Sequence, residues 1–78
     1  MHKNIAMMMS RLVDESPYSF FTCEVFPQKT LSFWKVIINF TNRKNAHSEA
    51  LVQSLRYIGL VYGEGLDITD NGKSVEVC

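Results

Sequence analysis

The stretch TLSFWKVIINFTNRKNAHSEALVQSLRYIG, Thr30–Gly59, carries two hydrophobic periodicities back to back, and their order decides the fold. From Leu31 to Phe40, aromatic and β-branched residues run without Gly or Pro, as a strand on a pleated, half-buried surface requires. Asn42-Arg43-Lys44-Asn45 then breaks the run with a polar turn. Beyond it, Leu51, Leu55 and Ile58 recur at helical spacing, while Glu49, Gln53 and Arg56 fall on the opposite side. This predicts a helix over Ala46–Ile58, capped by Asn45 and ended by Gly59 in the left-handed conformation. Ser54, near the core stripe, is small enough for a close approach to a sheet.

Upstream, Phe20–Phe26 reads as a second strand, joined to the first by the turn Pro27-Gln28-Lys29-Thr30. A hairpin pairing Phe26 with Leu31 sets Cys23 opposite Trp34, Glu24 opposite Phe33 and Thr22 opposite Lys35. Alternation then collects Phe21, Cys23, Val25, Trp34, Val36, Ile38 and Phe40 on one apolar face. The other face holds Phe20, Glu24, Phe26, Phe33, Lys35 and Ile37. Before the hairpin, Ile5, Met8, Met9 and Leu12 mark one side of a helix with Asn4 at its N-cap. His2 is expected in a frayed end, and Ser16-Pro17 stops the helix. Met7 points with Arg11 and Asp14 away from that stripe.

Downstream, Leu60-Val61-Tyr62 and Leu66-Asp67-Ile68 read as short strands around Gly63-Glu64-Gly65, which lacks the residues of a phosphate loop. Asn71-Gly72 marks a tight hairpin turn, with Ser74–Val77 returning. The expected fold class is therefore α+β: a small antiparallel β-sheet with two helices on one face, in the order α-β-β-α-β-β-β, forming a single domain over residues 1–78.

Composition narrows the function. Eight basic residues balance eight acidic ones, so no long-range positive field draws the chain to nucleic acid or to an anionic membrane. No apolar run approaches the ~20 residues of a membrane span, and Met1–Met9 does not fit a secretory signal. Cys23 and Cys78 are the two cysteines, which makes no disulfide framework and points to a reducing cytoplasm.

Catalytic constellations are not apparent. His47 falls in the first turn of the second helix, where packing or capping accounts for it, and Cys23 lies on the apolar sheet face. Neither metal-ligand spacing nor a cofactor motif is present, and Asp67–Gly72 lacks the closing Glu and flanking helices of a calcium loop. The run Leu55-x-x-x-Gly59-Leu60-Val61 with Ile68-Thr69-Asp70-x-Gly72 resembles the recognition helix and wing of winged-helix proteins. That resemblance covers less than half the chain, and strands precede it where the family has helices.

The remaining signal is the aromatic second face of the hairpin. It suits the core of a protein interface, with Phe20, Glu24, Phe26, Phe33, Lys35, Ile37 and Met7 as contact residues. The reading is a non-catalytic protein-binding module, an inhibitor or adaptor of the kind phages and mobile elements encode, or a homodimer formed through that face. The alternative is a single-stranded nucleic-acid binder that stacks bases on the exposed Phe residues beside Lys29, Lys35, Arg43 and Lys44. No small-molecule substrate is evident.

Overall fold

The computed structural model describes residues 1–16, 21–27, 29, 34–62 and 66–78, Tyr62 by its backbone alone. Its elements are α1 (Lys3–Asp14), β1 (Phe21–Phe26), β2 (Lys35–Phe40), α2 (Ala46–Tyr62), β3 (Ile68–Asp70) and β4 (Ser74–Val77). The four strands form one antiparallel sheet in the order β1-β2-β4-β3. Both helices contribute to the core on one of its faces, an α+β fold.

The order is α-β-β-α-β-β, one strand fewer than the sequence suggests. Leu60-Val61-Tyr62 is the last turn of α2, because the helix runs through Gly59 instead of ending there. Leu66 explains the glycine: a Cβ on Gly59 would lie 3.3 Å from Leu66 Cδ1, so the bare backbone lets that side chain settle against the helix. The only positive-φ glycine among the described residues is Gly72 (φ 85°). The final hairpin pairs Asp70 with Val75, and Asn71 donates its N–H to Ser74 O at 2.8 Å. The turn is thus centred on Gly72-Lys73, one residue later than expected, with glycine where a type II′ turn takes it.

The β1–β2 register also differs. Phe26 pairs with Lys35, Glu24 with Ile37 and Cys23 with Ile38, a slip of four residues from the Leu31 pairing. An even slip preserves which side chains share a face. Phe21, Val36, Ile38 and Phe40 are accordingly buried, with Cys23, Val25 and Trp34 half-buried against them. Leu31 and Phe33 of the expected strand, Phe20, Gln28 and Thr30 of the expected strand and turn, Pro17, and Gly63-Glu64-Gly65 lie outside the described residues.

In α1 the buried stripe is Ile5, Ala6, Met9 and Val13, while Met8 and Leu12 are exposed. Ala6, fully buried, lets the helix sit close to β1. His2 rather than Asn4 is the N-cap: its Nδ1 accepts the Asn4 N–H at 3.1 Å. That end is not frayed. Met1 is buried, its amino group donates to Trp34 O, and Trp34 N–H donates to Met1 O, each at 2.8 Å. In α2, Leu51, Val52 and Leu55 are buried and Ile58 half-buried, and Asn45 Oδ1 accepts the His47 N–H at 2.8 Å, the expected cap. Ser54, however, is exposed; the small buried residue is Ser48, which donates to Asn42 O at 2.8 Å.

Candidate functional site

The sheet face turned away from the helices carries Thr22, Glu24 and Phe26 from β1, Lys35, Ile37 and Asn39 from β2, and Ser74 and Glu76 from β4. The C-terminal strands extend the sheet beside β2 and do not fold over this face. Of the expected contact residues, Glu24, Phe26, Lys35 and Ile37 come together here. Phe20 and Phe33 lie outside the described residues. Met7 is exposed but stands on α1, across the sheet from this face, so it belongs to a different surface.

The described part of the face is a polar lattice around two half-buried apolar groups. Asn39 Nδ2 donates to Glu24 Oε1 at 3.1 Å, and Lys35 Nζ lies 3.3 Å from Glu76 Oε1. The same ammonium sits 5.2 Å from the centre of the Phe26 ring. Lys35 therefore covers one face of the Phe26 ring, and its charge is paired with Glu76.

Among the described residues, the most exposed apolar side chains lie elsewhere. Tyr57 is 67% exposed, Leu60 81% and Val61 56%, spaced i, i+3, i+4 along the outer side of α2. Beside them, a shallow cavity of about 580 Å³ is lined by Arg56, Gly59, Leu60, Leu66, Asp67 and Ile68. The spacing of Tyr57, Leu60 and Val61 was present in the sequence, but reading Leu60-Val61-Tyr62 as a strand concealed it.

Between α1 and α2 a groove of about 410 Å³ is bordered by Leu12, Glu15, Ser16, Phe21, His47, Ala50, Leu51 and Ser54. His47 sits at its rim, exposed, on the first turn of α2. On the sheet, burial first, and then the Asp14 and Glu24 charges, push the Cys23 thiol up against the opposing pull of its hydrogen bond with Ser10. Cys78 is likewise raised, by burial and then by Glu76. Both are free thiols held in the protonated form, the reverse of what a nucleophile needs. Among the described residues no group of three or more His, Cys, Asp or Glu side chains is placed to hold a metal ion, and no helix is long and apolar enough to cross a membrane.

No protein-family model, curated protein or solved structure matches this chain.

Proposed function

We infer that this chain is a non-catalytic protein-binding module of the inhibitor or adaptor kind, whose main contact is the outer stripe of α2. The observation that carries the reading is the exposure of Tyr57, Leu60 and Val61 at helical spacing. Large apolar side chains grouped on one exposed helix side are costly in water and are the usual anchors by which a helix seats in a groove of another protein. The partner surface is thus an apolar groove that accepts three side chains spaced over about one helical turn. The open sheet face contributes less, because Phe26 and Ile37 are half-buried and their polar neighbours already bond one another. Nucleic-acid binding ranks below for the same reason. The free thiols Cys23 and Cys78 favour a reducing compartment such as the cytoplasm.

The experiment is capture from extracts of the native host by the immobilised chain, comparing Leu60→Asp with Ile37→Thr. Both variants should remain folded by circular dichroism. A partner retained by Ile37→Thr and lost by Leu60→Asp supports the α2 stripe. Retention by Leu60→Asp with loss by Ile37→Thr transfers the interface to the sheet.

A further inference from the structure

Among the described residues, β1 is the long open edge of the sheet. Phe40 donates its N–H to Lys73 O at 2.9 Å, so the even residues of β2 turn their backbone groups toward β4. The odd ones, Lys35, Ile37 and Asn39, turn theirs toward Phe26, Glu24 and Thr22 of β1. By alternation the N–H and C=O of Cys23 and Val25 point outward, and no described backbone group outside the sheet is bonded to them. The opposite edge is guarded. It is the short strand β3, preceded by Asp67 and ended by Asp70, and brevity and charge are how edges are kept from pairing. β1 has twice that length, no Pro or Lys, and Glu24 as its one charge.

We propose that β1 pairs with β1 of a second copy, antiparallel, about a two-fold axis through Cys23, joining two sheets into one. Residues opposite each other must share a face, so the axis passes through a residue and not between two. Through Glu24 it would set that carboxylate against its own copy, which like charges resist. Through Thr22 it would pair only Phe21–Cys23 among themselves, half of the described strand. Through Cys23 it places Thr22 opposite the partner's Glu24 and Phe21 opposite the partner's Val25. The Thr22 and Glu24 positions form the close, non-hydrogen-bonded kind of pair, with Cα atoms about 4.5 Å apart. A Thr22 hydroxyl can there donate to the carboxylate, whose Oε1 already accepts from Asn39.

The same axis engages α1. This helix packs over β1, with Ser10 near Cys23 and Leu12 bordering the groove toward α2. Met7, one turn before Ser10 on that flank and 47% exposed, comes against the partner's helix. The dimer keeps both helical layers on one side, so both α2 stripes point the same way. It stands independently of the protein-binding reading.

The test is sedimentation equilibrium of the full chain from micromolar to millimolar concentration, with folding followed by circular dichroism. Thr22→Glu, on an exposed site, sets two carboxylates against the two Glu24 groups and should weaken the dimer about fivefold or more, less so at high salt. Thr22→Lys should tighten it by a similar factor at low salt. Val25→Pro removes an outward N–H and, if folded, should be monomeric. A chain that is monomeric throughout overturns the proposal. So does a dimer indifferent to both Thr22 variants, or one abolished by Leu60→Asp, which would place self-association on α2.

Discussion

Arg43 Nη2 donates to Asp70 Oδ2 at 2.7 Å, tying the turn before α2 to the last residue of β3. The guanidinium also pairs with Glu49 in the first turn of α2 and lies 5.3 Å from the centre of the Phe40 ring. One side chain thus joins the end of β2, the start of α2 and the closing hairpin. Asp70 reaches inward as well, accepting the Gly72 N–H at 2.9 Å. The Gly72 amide first, and Arg43 second, hold its carboxyl below the usual range.

Replacing Asp70 by Asn should therefore cost about 0.5–1 kcal/mol, a modest figure because the pair is partly exposed. Its folded-state pKa is lowered, so the carboxylate's contribution is complete above the unfolded value of about 3.9 and is lost as pH falls through the folded value. Urea denaturation across the acid range should show a flatter stability loss below about pH 4 in Asp70→Asn than in the parent chain. Parallel acid limbs would remove Asp70 from that role.

Gly59→Ala distinguishes a mid-helix glycine from a cap. Inside α2, one turn from its end, alanine gains helix propensity of up to ~1 kcal/mol, less the small shift asked of the Leu66 side chain. A net stabilisation of about 0.5 kcal/mol is expected in thermal or urea unfolding. A loss of ~1 kcal/mol would instead mark a left-handed residue at this position.

Gly72→Ala should go the other way. Its φ of 85° suits glycine, and a Cβ there meets nothing within 4 Å, so the cost is in the backbone alone. About 1–2 kcal/mol should be lost, read as a lower urea midpoint at unchanged slope.

Which side chains of β1 and β2 face the core is legible in the sequence, because a strand alternates its faces with a period of two. The four-residue error in the β1–β2 register left every described side chain of the two strands on its assigned face. The register itself was not legible, since a loop of uncertain length between two apolar strands admits several even slips. Helix α1 was placed correctly but rotated, because counting large apolar residues favours Met8 and Leu12 over Ala6, whose value is its small size. At the end of α2, Leu60-Val61-Tyr62 has strand-like composition, and the preceding glycine looked like a stop. That substitution of strand for helix hid the most exposed apolar stripe described. The sequence accordingly points to the sheet for an interface, where Glu24, Phe26, Lys35 and Ile37 do lie together but largely satisfy one another.

The strand order β1-β2-β4-β3 places the final strand, Ser74–Val77, between β2 and β3. Val75 and Val77, both fully buried, complete the apolar layer opposite Ile38 and Val36. During synthesis β2 must therefore wait with one bare edge until this C-terminal segment leaves the ribosome. The sheet closes only once β4 has emerged, and the interval before it arrives is when β2 is most open to mispairing.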